Sequence, residues 1–241
     1  GTSLQVTFEG RNDYPTWMPD GESLTFYSSR AGSIDLWTKP ADGSAQAVLQ
    51  LDRERSVYES LWSPDGEWLL YRTDVNAQGG GDILALRTDP DSDPVPLLAT
   101  EFEEVSPRLS PDGRWLAYSS DETGQHEVYV RPFPNTGGKW VVSTSGGFWP
   151  VWAHSGRELF YLNGEGELVA VQVGTEPTCS PGQSVVLFSA ADFQNSRGHA
   201  QYDVTPDDDR FIMIRPVGGG AAGRLIVVLN FFEELKRLVP N

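Results

Sequence analysis

The chain has 241 residues, enough for one large domain with a full core, and carries 34 acidic against 18 basic side chains, a net charge of −16. That balance disfavours a phosphate-backbone ligand, because nucleic-acid binding shows as a basic face. A single cysteine excludes an intramolecular disulfide, and no apolar run reaches the roughly 18–20 residues that span a bilayer.

In chain order, a short stretch with strand alternation, residues 4–8, precedes a repeat that then runs to the end of the chain. Trp17-Met18-Pro19-Asp20-Gly21 recurs as Trp62-Ser63-Pro64-Asp65-Gly66 and as Leu109-Ser110-Pro111-Asp112-Gly113. A fourth copy is Trp152-Ala153-His154-Ser155-Gly156, and a worn fifth is Val204-Thr205-Pro206-Asp207-Asp208. From Pro19 to Pro64, Pro111, His154 and Pro206 the steps are 45, 47, 43 and 52 residues, which is propeller-blade size. Proline presets φ for the second turn position, aspartate suits the third, and glycine takes the left-handed position that closes a hairpin. Asp208 stands where that glycine is expected, so it is predicted to hold positive φ and Asp208→Gly to be neutral or stabilising.

After each turn, apolar residues three and five positions beyond the glycine site fall on one face of a strand: Leu24/Phe26, Leu69/Tyr71, Leu116/Tyr118, Leu159/Tyr161 and Phe211/Met213. A third strand is expected at residues 35–37, 82–86, 127–130, 167–171 and 224–229. A weaker outer strand is expected at residues 47–49, 95–98, 140–142 and 185–188. Four short strands per repeat with no helix between them is the pattern of an all-β propeller with four-stranded antiparallel blades. The repeats run over residues 10–53, 54–100, 101–144, 145–191 and 192–229 of a single domain, 1–241. The fifth lacks an outer strand, and residues 4–8 are expected to supply it and close a five-bladed ring. A six-bladed ring, or part of a longer propeller, is the alternative. Residues 231–239 have helical spacing and acids ahead of bases, as a terminal helix would.

The units Trp62-Ser63-Pro64-Asp65-Gly66-Glu67-Trp68-Leu69-Leu70-Tyr71 and Ser106 to Ser120 resemble the TolB-type propeller repeat of bacteria over nearly the whole chain. The closing segment, residues 227–238, resembles the end of larger proteins in which such a propeller follows a serine/threonine kinase or other signalling domain. The resemblance implies a binding or scaffold module, outside the cytoplasm, acting through protein contacts. Related repeats also accompany the catalytic domain of prolyl-oligopeptidase-like enzymes.

For function, the inner strand of each blade would line a channel, and the loop entering it would lie at one mouth. Those loops carry Tyr14, Tyr58, Glu59, Glu104, Phe148, Trp149 and His199. Aromatics anchor interfaces and acids steer a basic partner, so the expected ligand is a protein segment or peptide. No Gly-x-Ser-x-Gly elbow, His-Glu-x-x-His or paired Cys-x-x-Cys is present. The motif reading therefore expects no catalytic residue, metal or cofactor and no enzyme, with a propeller hydrolase or lyase at the channel mouth as the alternative. Cys179, in a Pro-flanked loop, reads as an inert thiol.

Overall fold

A computed structural model describes residues 5–51, 57–75, 81–89, 92–135, 137–193, 199–215 and 224–227. The chain forms two compact units, residues 1–104 and 105–241. The first holds two four-stranded antiparallel sheets. One is β1 (Asn12–Trp17), β2 (Ser23–Ser28), β3 (Asp35–Pro40) and β4 (Val48–Leu51), and the other is β5 (Val57–Trp62), β6 (Trp68–Val75), β7 (Gly81–Arg87) and β8 (Val95–Leu98), each paired in sequence order. The second unit repeats the arrangement with β9 (Glu104–Leu109), β10 (Trp115–Ser120), β11 (Glu127–Pro132) and β12 (Trp140–Val141). It continues with β13 (Phe148–Trp152), β14 (Glu158–Leu162), β15 (Glu167–Gly174) and β16 (Ser180–Ser189), and ends on β17 (Tyr202–Val204), β18 (Phe211–Arg215) and β19 (Arg224–Val227).

Each expected second and third strand is present, and β16 begins five residues earlier than its apolar run suggests. The fifth sheet has three strands among the described residues. Residues 5–8 carry no strand; Leu4 and the expected helix 231–239 lie outside the described residues.

The second strand of the fourth sheet reads as an unbroken apolar run, Leu159-Phe160-Tyr161-Leu162, because both its faces are covered. Leu159 and Tyr161 of β14 pack with Trp115, Ala117 and Val128 of the sheet before. Phe160 and Leu162 of the same strand pack with Tyr202, Val204, Phe211 and Met213 of the sheet after. In the first unit, Tyr27 and Leu36 meet Val57, Leu69 and Tyr71 in the same way.

The turns behave as their chemistry demands. Gly21, Gly66, Gly113 and Gly156 have φ of 67°, 72°, 71° and 69°, and each N–H closes a three-residue hydrogen bond at 2.8–3.0 Å. The serine ahead of proline is a relay. Ser63 and Ser110 each donate a hydroxyl to the turn aspartate and accept the N–H that starts the next strand, from Trp68 at 2.9 Å and Trp115 at 3.0 Å. Asp208 has φ 60°, as its alignment requires. The expectation that glycine there would be neutral or stabilising is reversed. The Asp208 carboxylate accepts the backbone N–H groups of His154 at 2.6 Å and Ser155 at 2.8 Å, and so ties the fifth turn to the fourth.

Candidate functional site

In three of the sheets the inner strand breaks its pairing at the same place: between Asp13 and Thr16 in β1, Val57 and Ser60 in β5, and Phe148 and Val151 in β13. A left-handed residue that is not glycine stands at each break: Tyr14 at φ 52°, Glu59 at 52° and Trp149 at 54°. Ser106 of β9, at φ 56°, occupies the same position in its repeat. Three of the four precede proline, which itself favours an extended conformation for its predecessor. The bend turns the start of each inner strand and re-aims one side chain per repeat.

In the first unit these side chains gather around Tyr27. The Tyr14 ring meets the Tyr27 ring edge-on at 5.9 Å and remains 43% exposed. Glu59 is buried and faces Arg72, Oε2 to Nε 3.7 Å, while the Arg72 guanidinium lies 5.7 Å from the Tyr58 ring. Burial pushes the Tyr27 hydroxyl well above the ordinary tyrosine range, and the nearby Glu59 charge adds to it. Glu104, also buried, accepts the Thr100 hydroxyl. The two acids read as mouth charges are therefore enclosed, and in this unit Tyr14 and Tyr58 are the members of the set that reach solvent. Sequence reading passed over Arg72 and Tyr27. The one available signal was a cation inside the apolar run Leu69-Leu70-Tyr71-Arg72.

In the second unit, Phe148 and Trp149 form a half-buried aromatic pair at 5.4 Å, and His126 packs on Phe148 at 5.1 Å. The Tyr202 hydroxyl donates to the Trp149 carbonyl at 2.8 Å. His199 is buried. Among the acids that open the third strands, Asp35 accepts from Ser33 at 2.6 Å and Glu167 from Asn163 at 2.9 Å. Glu127 accepts from Gln125 at 2.6 Å, from the Gly146 N–H at 3.0 Å and from the Ser143 hydroxyl. These acids hold the sheets. Burial pushes the Cys179 thiol up to about 11, so it is no nucleophile at neutral pH. No helix among the described residues is long and apolar enough to cross a membrane.

The sequence profile of the TolB beta propeller domain matches residues 2–131, more than half of the chain. An uncharacterized peptidase of Bacillus subtilis (strain 168), YuxL, is 34% identical over 86 residues, covering 35% of this chain and 12% of that protein. Among solved structures, TolB from Acinetobacter baumannii superposes with a TM-score of 0.64 at 16% identity, over 89% of this chain and 50% of its own. A puromycin-hydrolyzing peptidase of Mycobacterium tuberculosis gives 0.63 at 15% identity, over 86% of this chain and 34% of its own. The chain thus spans half or less of these three proteins. The expectation of no enzyme is corrected by these relatives. Two of the three are named as peptidases, so the missing hydrolase motifs do not set the chain apart from enzymes. The profile match over the first three repeats, together with sheets of this order and turn chemistry, places the chain in the TolB β-propeller domain family.

Proposed function

We propose that the chain is a polypeptide-binding propeller and the recognition part of a longer protein, with the solvent-reaching aromatics at the starts of inner strands, Tyr14 and Tyr58 in the first unit and Phe148 and Trp149 in the second, each pair taken by itself, as its contact points. The observation that carries this is the left-handed quartet Tyr14, Glu59, Ser106 and Trp149, of which Tyr14 and Trp149 reach solvent while Glu59 and Ser106 are buried. A left-handed bend needs no side chain. Glycine would make it without the roughly 1–2 kcal/mol that an L-residue loses there. The chain uses glycine at four of the five hairpin turns, yet at none of these four bends. Strain of that kind, repeated with a different side chain each time, fits positions held for what the side chain contacts. Tyr14 and Tyr58, both reaching solvent, suit an apolar or aromatic anchor on an extended peptide, and Phe148 with Trp149 offers a second such pair. The acidic balance of the chain opposes a polyanion and favours a peptide with basic residues. The peptidase relative makes peptide substrate the first class to try.

The test is Tyr14→Gly and Trp149→Gly, screened against a displayed peptide library and in binding titrations with the selected peptides. Because glycine relieves the bend, the melting temperature should hold or rise for Tyr14→Gly while peptide affinity falls at least ten-fold. Peptides that bind both variants as tightly as the parent would refute the reading.

A further inference from the structure

One corner of the third sheet departs from the pattern of the repeat. β9 pairs with β10 and β10 with β11, so the residue that leads into β9 and the hairpin between β10 and β11 meet at one end of the same sheet. The boundary between the compact units falls at the first residue of β9, and pairing within this one sheet fixes the corner. Glu103 leads into β9, and Asp121 and His126 flank the hairpin turn. All three are half-buried, and a carboxylate oxygen of each acid and a ring nitrogen of His126 lie within 4.8 Å of one another. The Gly124 N–H donates to the Asp121 carbonyl at 2.8 Å and closes the turn. The His126 ring packs on Phe148 at 5.1 Å, and its carbonyl accepts the Gly147 N–H at 2.8 Å, so the imidazole is positioned from two sides. The repeat itself does not require this trio. Counted from the left-handed residue, from the second-strand tyrosine and from the acid that opens the third strand, the same three places hold Arg11, Arg30 and Ile34 in the first repeat. They hold Ser56, Asp74 and Gly81 in the second, and Gly146, Gly164 and Gly166 in the fourth. In the first repeat Arg30 ties the corner by donating to Asn12 Oδ1 at 3.2 Å. The third puts two carboxylates and an imidazole where the first has two cations and an isoleucine.

We propose that Glu103, Asp121 and His126 form a binding site for a divalent transition-metal ion of the zinc class. Two carboxylates this close repel when both are ionised, and a dication between them replaces that repulsion with attraction to each. An imidazole beside carboxylates suits zinc and the later first-row dications, whereas calcium and magnesium take oxygen donors. Zinc bonds of about 2.0–2.2 Å put neighbouring donors about 3–3.5 Å apart, so side-chain rotations that move these atoms about 1–2 Å complete the set. Three protein donors leave a coordination position open. Motifs such as His-Glu-x-x-His place their donors close in sequence, while strand pairing is what brings Glu103 to Asp121, so a motif search passes over this trio.

The test titrates Zn²⁺ and Ca²⁺ separately into the metal-free full chain by calorimetry and follows the melting temperature alongside. One equivalent of Zn²⁺ should bind at least ten-fold more tightly than Ca²⁺ and raise the melting temperature, since an ion that binds the folded chain alone stabilises it. His126→Gln, Asp121→Asn and Glu103→Gln should each weaken Zn²⁺ binding at least ten-fold. Glu165→Gln, which neutralises an exposed acid in another turn, should leave it unchanged. Zinc K-edge absorption of the loaded parent should show an imidazole ligand that is lost in His126→Gln, and the parent spectrum stands whether or not a variant folds. Weak uptake at several places, indifferent to His126→Gln, would mean that the exposed acids of a chain of charge −16 gather cations without a site, and would overturn the proposal. Ca²⁺ bound as tightly as Zn²⁺, a zinc spectrum without imidazole, or no Zn²⁺ binding at all refutes it outright.

Discussion

Replacing Asp208 with glycine would install the residue that the other four turns of the repeat use, and the structure makes the change destabilising. The fourth turn has His154 where the first three have proline, and the fifth has Asp208 where the others have glycine. The two departures belong together. Histidine supplies a backbone N–H that proline lacks, and the Asp208 carboxylate accepts it at 2.6 Å together with that of Ser155 at 2.8 Å. In the standard pairing, Gly156 instead lies over Pro111 by van der Waals contact alone. A hydrogen bond to a charged group contributes about 1.5–3 kcal/mol. This carboxylate is partly exposed, so the lower end applies, about 3 kcal/mol for the two. Relief of the left-handed strain returns about 0.5–1 kcal/mol. Asp208→Gly should therefore lose about 2 kcal/mol, a fall of about 4–8 °C in melting temperature. His154→Pro alone should also destabilise, while the double variant should recover part of the loss as the standard pair re-forms, with a coupling of about 1 kcal/mol or more. Thermal denaturation of the four proteins by circular dichroism checks this. An Asp208→Gly protein that melts at or above the parent, or a strictly additive cycle, would sink the account.

The other expectations concern charge and thiol chemistry. Burial acts to raise the Asp208 carboxyl, but the Ser155 and His154 N–H groups outweigh it and hold it below the usual range. Its contribution is thus complete above about pH 4 and is lost as pH falls through the folded value, so Asp208→Asn should flatten the acid limb of a urea-midpoint profile. The turn carboxyls of Asp20, held down by the Glu22 N–H, and of Asp65 and Asp207, held down by the Ser63 and Thr205 hydroxyls, share that sign. Ser63→Ala should move the Asp65 titration, followed by NMR, back toward its ordinary value. Arg72→Met leaves the buried Glu59 without its cation and should cost about 3 kcal/mol in denaturant titrations, part of which Glu59→Gln in the same chain restores. Cys179 should resist thiol reagents at pH 8 in the folded protein and react at once in denaturant.

The fold was legible because its instructions are local. Pro-Asp-Gly closes a hairpin by its own dihedral preferences, and the pair three and five residues on marks one face of the strand that follows. The turn relay was half legible, since serine before proline recurs, but its acceptance of the strand-opening N–H depends on a geometry that only the closed hairpin creates. The His154–Asp208 exchange was misread because each departure, taken alone, is a defect. Only their proximity shows that a donor and an acceptor were gained together. The candidate site was least legible. Glu59 and Glu104 sit at inner-strand starts as Tyr14 and Tyr58 do, yet Arg72 from the next strand and the Thr100 hydroxyl from the preceding loop hold them, and no local pattern distinguishes such a held acid from an exposed one.

Trp17 and Trp62 carry that argument to its end. Their local sequences match, both begin a Pro-Asp-Gly turn, and both sit at the last position of an inner strand. One is open and the other packed, because a propeller blade has two faces and its sequence describes both while its neighbours decide which are covered. Secondary structure and turn type are properties of one repeat. Burial, and with it the distinction between a packing residue and a recognition residue, is a property of two. The left-handed bends divide along the same line: their conformation is set within the strand, yet Glu59 and Ser106 are buried while Tyr14 and Trp149 reach solvent, so the bend alone does not make a recognition residue.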